Sequence, residues 1–186
     1  MPSVLVSAAS ARQVFHGCEP DYIATTCKGA CCRSAASTII VTLLDHEQAE
    51  IRRLTTIPVR DGLLAPDDRR CPFQTPENLC ALHGGGVVGK PFGCIASPFT
   101  LTKRDVLVVR NRYRLLRCYR DGVLPAYRAF ASSLVLLFGA DVANILTEHL
   151  DRGGGDIWLP MPDTTHGFLR DGDTRKVAAV AARPPR

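Results

Sequence analysis

The stretch Cys27-Lys28-Gly29-Ala30-Cys31-Cys32 places three thiols within six residues, and Cys18 precedes it. Its residues fit neither the apolar face of a helix nor an alternating strand. A glycine lets the backbone turn tightly, so cysteine side chains at this spacing can converge on one point. The stretch therefore predicts a binding site for a metal ion or an iron–sulfur cluster.

A second group of cysteines follows in a region where proline and glycine are frequent. Such a composition predicts irregular backbone, and loops are well suited to aim several sulfurs at one centre. His83 lies three residues after Cys80 and is the one histidine that this spacing offers as a nitrogen ligand. The candidate metal ligands are Cys18, Cys27, Cys31, Cys32, Cys71, Cys80, Cys94 and Cys118.

The length and composition predict one globular domain with a substantial core. The chain has 186 residues, of which 46% are hydrophobic and 22% charged, a balance typical of folded proteins. The net charge of +5 permits an anionic partner without requiring one. Residues 1–15 lack a basic, uninterrupted leader, and no apolar run is long enough to span a bilayer. We therefore expect a cytoplasmic protein with no membrane partner, in which eight cysteines serve as ligands or catalytic thiols in preference to disulfides.

Hydrophobic periodicity and turn residues predict a mixture of helices and strands. On the first helix Glu47 is expected to face solvent, and on the last helix Ile145 is expected to face the core. Residues 4–6 predict either a short edge strand or a fraying end. The other predicted elements are a strand over residues 37–42, a helix capped by Asp45 and Gln48 that ends before Pro58, a hairpin over 101–109, and helices over 125–138 and 141–150.

These elements predict a small α+β single domain. Its irregular, cysteine-rich half is expected to be stapled by metal and to pack on the C-terminal helices. We expect this metal-binding domain to cover residues 1–155, with residues 156–186 forming a partly disordered C-terminal extension.

Taken together, the cysteine elements resemble the cysteine-cluster family described as zinc- or iron-chelating, over roughly Cys18 to Cys118. The closest likeness is to a subgroup with a Cys-Lys-Gly-x-Cys-Cys core. The family includes flagellin lysine methylases, so the resemblance implies iron–sulfur chemistry. The family's tight opening is replaced here by Cys18-x8-Cys27, which sets Cys18 apart from the other ligands. The matching residues are Cys27 with Gly29-Ala30-Cys31-Cys32, Cys71-Pro72-Phe73, Cys80 with His83, and Lys90-Pro91-Phe92-Gly93-Cys94.

The number of thiols leaves the kind of centre open. A tetrahedral zinc site and a 4Fe-4S cluster each take four thiolates. Eight cysteines would therefore supply two such sites, one site with spare thiols, or two zinc ions with bridging sulfurs. Sulfurs on one zinc lie about 4 Å apart, whereas a 4Fe-4S cube spreads them to roughly 6–7 Å. We expect at least four of the sulfurs, from both groups, to line one cavity near Cys118.

Two further segments offer alternative functions. Residues 84–91 match a phosphate-binding loop except that Pro91 replaces the final Ser or Thr, which excludes that function. The segment 103–120 interleaves arginines with Tyr113 and Tyr119, a pattern found in nucleic-acid binding; if the backbone stays extended, Arg110, Arg112 and Arg114 share one face.

The first functional prediction is therefore an iron–sulfur protein with a redox or group-transfer role toward a protein or small-molecule partner. The alternative is a zinc-stabilised, non-catalytic interaction module that uses the basic segment, with nucleic acid as the partner. No motif selects a catalytic residue.

Overall fold

The computed structural model describes residues 1–32, 41–60, 62–64, 71–82 and 89–171. A π turn covers Ile23–Cys27, 3₁₀ turns cover Ala30–Cys32 and Asn111–Leu115, and a last helix covers residues 163–171. The other elements, in chain order, are β1 (Ser3–Val6), α1 (Ala8–Ala11), β2 (Val14–Phe15), α2 (Pro20–Tyr22), β3 (Val41–Thr42), α3 (Asp45–Leu54), β4 (Val59–Arg60), β5 (Leu63–Leu64), α4 (Phe92–Ala96), β6 (Phe99–Leu101), β7 (Val106–Val109), α5 (Arg117–Arg120), β8 (Leu124–Pro125), α6 (Ala126–Ala129), α7 (Ala131–Phe138), α8 (Ala140–Asp151) and β9 (Ile157–Pro160).

The mixture of helices with several small sheets confirms the α+β prediction. The chain forms two compact units. One, here called the terminal unit, combines Met1–Cys18 with Ile95–Asp171. The other, here called the cysteine unit, contains Glu19–Cys94. The segment 172–186, expected to be part of the C-terminal extension, lies outside the described residues.

The terminal unit is built on a four-stranded sheet in the order β6-β7-β1-β9. Strand β1 pairs in parallel with β7 and antiparallel with β9, so it lies in the interior of the sheet. The predicted edge strand or fraying end at residues 4–6 is therefore corrected. Val4 and Val6 alternate with more exposed neighbours and are buried, as a half-buried strand requires. The partner β9 comes from residues assigned to the C-terminal extension.

Helices α6, α7 and α8 contribute much of the buried apolar surface of the terminal unit. The single helix predicted over residues 125–138 is interrupted, because Pro125 pairs in β8 and Phe130 leaves helical geometry between α6 and α7. Phe130 turns inward there and packs against Phe15, with ring centroids 5.2 Å apart. On α8 the buried face contains Leu146 and Leu150, whereas Ile145 is 54% exposed, against its predicted position.

The predicted hairpin is formed by β6 and β7. Its turn needs no glycine, because Asp105 adopts the left-handed conformation with φ +56°, which aspartate tolerates better than most residues. Thr102 Oγ1 accepts a hydrogen bond from the Val106 N–H at 3.2 Å and closes the turn. His166 Nε2 and Arg170 Nη1 of the last helix both lie about 3 Å from Asp105 Oδ1 and hold that helix on the turn.

The cysteine unit has its own small core. The three-stranded sheet β3-β5-β4 and helix α3 surround it. The C-terminal part of the predicted strand 37–42 is seen as β3, and residues 37–40 lie outside the described residues. The buried residues of this core are Val41, Leu43, Ile51, Leu64, Phe73 and Leu82, and Cys71, Cys80 and Cys94 pack against them.

Gly122 lies against the backbone of β2 and provides a test of the terminal unit. A Cβ added at Gly122 would lie 2.6 Å from the Val14 carbonyl carbon and 2.7 Å from its oxygen. We expect Gly122→Ala to lower the free energy of unfolding by about 1–3 kcal/mol, because β2 would have to move. Gly155→Ala is the matched control, since no atom lies within 4 Å of its added Cβ. Urea denaturation of both variants measures the difference, and equal midpoints would contradict the packing described here.

Candidate metal centre

The turn that carries the first cysteine group is built from two consecutive left-handed residues. After the π turn ends at Cys27, Lys28 has φ +52° and Gly29 has φ +58°. The Cys32 N–H then donates to the Gly29 carbonyl at 2.8 Å, which closes the 3₁₀ turn. This geometry places Cys31 Sγ and Cys32 Sγ 3.9 Å apart. Glycine is required at position 29, because an added Cβ would lie 2.7 Å from the Asn78 carbonyl oxygen.

Hydrogen bonds join this turn to the second cysteine group. The Cys71 N–H donates to the Cys32 carbonyl at 3.1 Å, so the two groups share a backbone contact. The Gln74 side chain adds a second link, because its Nε2 donates to the Lys28 carbonyl at 3.3 Å. Gln74 also forms an isolated antiparallel bridge with Cys80, which folds the segment 71–82 back on itself. These contacts bring cysteines that are distant in sequence close to one another.

The buried carboxylate of Glu47 positions the helix that carries Cys94. Glu47 Oε1 accepts a hydrogen bond from the Phe92 N–H at 2.6 Å, and its Oε2 accepts one from the Leu44 N–H at 2.8 Å. Glu47 is buried, which corrects its predicted solvent-facing position. It also replaces the predicted cap, since Leu44 is the N-cap residue and Asp45 is already helical. One side chain therefore caps α3 and fixes the start of α4, which carries Cys94.

The electrostatics of the thiols show that they are neighbours. A hydrogen bond with Cys31, followed by burial, raises the pKa of Cys32, and Cys71 and Cys94 raise it further. Burial raises the pKa of Cys94 to about 12; Cys71, Cys80 and Cys31 add to the rise and Lys90 opposes it. Burial also raises the pKa of Cys71, although the Phe73 N–H that donates to its sulfur lowers it. These three cysteines are therefore protonated thiols at neutral pH.

The structure brings at least five of the eight predicted ligands together. Cys31, Cys32, Cys71, Cys80 and Cys94 interact electrostatically, and they come from both cysteine groups. Cys27 is half-buried on the turn that precedes them.

The remaining candidates are placed differently. Cys18 is exposed and Cys118 is buried in the terminal unit. His83 lies outside the described residues. Within the described parts of the chain, no three Cys, His, Asp or Glu side chains are arranged closely enough to hold a metal ion. The five thiols thus share a neighbourhood without converging on one point.

The basic segment is folded onto the terminal unit. The chain leaves the extended conformation at Asn111 and forms a 3₁₀ turn, so the shared strand face expected for Arg110, Arg112 and Arg114 does not form. Arg112 Nη2 and the Tyr113 hydroxyl both donate to Ser97 Oγ, at 2.6 and 3.2 Å.

The two tyrosines of this segment are used in packing. Tyr113 is buried, and the ring of Tyr119 packs against Phe15 at 5.3 Å between centroids. Base stacking requires an accessible aromatic face. The observed packing therefore does not favour the nucleic-acid alternative.

Sequence reasoning missed two residues that organise the cysteines. Glu47 resembles any acidic residue in a first helical turn, and the identity of its second partner, the Phe92 N–H, depends on tertiary structure. Gln74 carries no local signal either, because glutamine is common on surfaces. The indication available for Glu47 was its position in the first turn, because a glutamate at N3 can accept a hydrogen bond from the backbone N–H of the N-cap residue.

No protein-family model, curated protein or solved structure matches the chain. None of the helices in the described ranges has the length and apolarity needed to cross a membrane. The arrangement of the cysteines is therefore the feature of the molecule that bears on function.

Proposed function

We propose that the cysteine unit binds a metal centre through Cys31, Cys32, Cys71, Cys80 and Cys94. The observation that carries the proposal is that three separate chain segments bring these thiols to one half-buried place. As thiolates these groups would repel one another, since each one raises the pKa of the others, so a bound cation is what would allow several of them to ionise together. The resemblance to the cysteine-cluster family supports the same proposal.

The donor set suits a thiophilic metal. Thiolates are the ligands that select zinc, copper(I) and iron–sulfur clusters. The Phe73 N–H donates to Cys71 Sγ, and such N–H···S bonds stabilise thiolates in metal sites. Lys90 favours the thiolate form of Cys94. Binding would require the sulfurs to move closer together, and it would thereby stabilise the loops that carry them.

The spacing of the two adjacent sulfurs supports zinc as the bound metal. Cys31 Sγ and Cys32 Sγ are 3.9 Å apart, close to the spacing of about 4 Å for two sulfurs on a tetrahedral zinc. A zinc centre would hold the loops in place for an interaction with a partner. The second candidate is a 4Fe-4S cluster with a redox or group-transfer role, supported by the family resemblance and by the surplus of thiols. Its partner would be a protein or a small molecule.

The number of cysteines also bears on the compartment. Thiols clustered for metal binding persist in a reducing environment, so the proposal includes a cytoplasmic location.

Anaerobic purification followed by elemental analysis tests the metal directly. Zinc with no visible absorption supports the first candidate, and iron with acid-labile sulfide and a brown colour supports the second. Protein that is free of both metals, and that binds neither on reconstitution, would overturn the proposal.

Zinc binding at pH 7 is expected to release about three to four protons per ion. The reason is that the pKa values of Cys32, Cys71 and Cys94 are raised, so these ligands must lose protons to bind. The affinity should consequently increase as the pH rises toward those pKa values. Calorimetric titration in two buffers that differ in ionisation enthalpy gives the proton count. Release of less than one proton per zinc would show that these thiols are not the ligands.

A further inference from the structure

Gln74 occupies the point where the two cysteine groups meet. Its backbone N–H donates to the Cys71 carbonyl at 3.0 Å. Its side-chain Nε2 donates to two carbonyl oxygens, those of Lys28 and Asn78, each at 3.3 Å. Gly29 lies directly against the same nitrogen. A Cβ added at Gly29 would be only 2.5 Å from Gln74 Nε2. One amide group therefore contacts both the turn before Cys31 and the loop between Cys71 and Cys80.

The orientation of this amide is fixed by its neighbours. If the amide oxygen and nitrogen exchanged places, the amide oxygen would face the carbonyl oxygens of Lys28 and Asn78. All three oxygens are acceptors, so no hydrogen bond could form between them. In the observed orientation Gln74 Oε1 is buried, and no hydrogen-bond donor among the described residues reaches it. A buried acceptor without a donor is costly to stability. The side chain is thus held in an arrangement that folding stability alone does not favour.

We propose that Gln74 is a positioning residue for the metal centre. Its two donated hydrogen bonds set the distance between the Lys28–Gly29 turn and the loop 71–82, and thereby the distance of Cys31 and Cys32 from Cys71. This inference rests on the proposed function, since it assigns Gln74 a role toward the same centre. Gln74 itself is not a ligand.

The test uses Gln74→Met in the full-length protein, with Gln48→Met as the matched control. Methionine keeps the length of the side chain and removes both the donor and the unpaired acceptor. Gln48 belongs to the same unit, but its amide contacts Leu43, Asp45 and Arg52 on and beside α3. Zinc affinity is measured by competition with a chelator. The intensity of the sulfur-to-cobalt charge-transfer band is measured after loading with Co²⁺ alone.

We expect Gln74→Met to weaken zinc binding by about 10–100-fold, as loss of a group that orients ligands does. The cobalt band should weaken as well, because fewer sulfurs reach the ion. The metal-free variant should melt close to the wild-type temperature, since removal of the buried unpaired acceptor offsets the loss of two long hydrogen bonds at 3.3 Å. A purely structural role would instead lower the melting temperature and leave the cobalt band of the folded protein unchanged, which would overturn the inference.

A second variant and a second readout keep the inference separate from the proposed function. Gln74→Glu has the shape of glutamine but presents oxygen to two carbonyl oxygens, so it should bind zinc more weakly still. Hydrogen exchange of the Cys71 amide, which donates to Cys32, reports the junction without metal. Wild-type protein that binds neither metal would overturn the proposed function. Wild-type binding with unchanged affinity and exchange in both Gln74 variants would overturn only the role of Gln74.

Discussion

Cys31→Ser and Cys94→Ser are expected to lose nearly all bound metal, whereas Cys18→Ser is expected to retain it. Cys31 and Cys94 raise the pKa of Cys32 and lie in the same thiol neighbourhood. Cys18 is exposed and belongs to the terminal unit. A serine hydroxyl is a poor ligand for zinc or for an iron–sulfur cluster, so removal of one thiol from the centre removes most of its affinity. Elemental analysis of the purified variants gives the metal content per chain.

The comparison with Cys18→Ser controls for the general effect of losing a cysteine. Far-ultraviolet circular dichroism of each variant shows whether the fold is retained when metal is lost. Equal metal loss in all three variants would show that Cys18 is a ligand and that the interval Cys18-x8-Cys27 forms a ligand loop. Full retention by Cys31→Ser would remove the first cysteine group from the centre.

Glu47→Ala is expected to lower the free energy of unfolding by about 2–4 kcal/mol. The substitution leaves the N–H groups of Leu44 and Phe92 without their acceptors, which they contact at 2.8 and 2.6 Å. Hydrogen bonds to a charged acceptor contribute more than neutral ones, and a donor left unpaired in a buried place adds a further cost. Because Phe92 begins the helix that carries Cys94, metal affinity should fall together with stability.

Glu50→Ala is the control for this prediction, since Glu50 lies on the same helix and is only partly buried. Urea denaturation of metal-free protein separates the stability effect from the binding effect. If Glu47→Ala and Glu50→Ala unfold at the same urea concentration, the carboxylate does not join α3 to α4. Glu47→Gln should give an intermediate result, because its amide offers one acceptor in place of two.

The sequence predicted the elements that depend on local residues. The β6–β7 hairpin was recognisable from its β-branched strands, and the end of α7 from Gly139, whose φ is +82°. Thiol chemistry also predicted that the two cysteine groups would meet, and they share one neighbourhood, although within the described residues the sulfurs do not converge closely enough to hold a metal ion. For the hairpin and the helix end, the information lies within a few neighbouring residues.

The remaining features depend on partners that are distant in the chain. Strand β1 lies inside its sheet because Leu159 pairs with Val4. No residue near Val4 in the sequence indicates that partner. Phe130 interrupts a helix because its ring packs on Phe15 and Tyr113. Gln74 and Glu47 are ordinary polar residues until tertiary structure supplies the carbonyls and N–H groups they contact. Hydrophobic pattern alone does not encode such contacts.

The division of the chain into two units affects when each unit can fold during synthesis. The terminal unit needs both ends of the described chain, because β1 pairs with β7 and β9. At a synthesis rate of about 5–20 residues per second, β1 leaves the ribosome on the order of ten seconds before β9. All five clustered cysteines are synthesised in that interval, since Cys94 precedes β7. The nascent chain thus contains all five clustered thiols before the first strand has either of its neighbours.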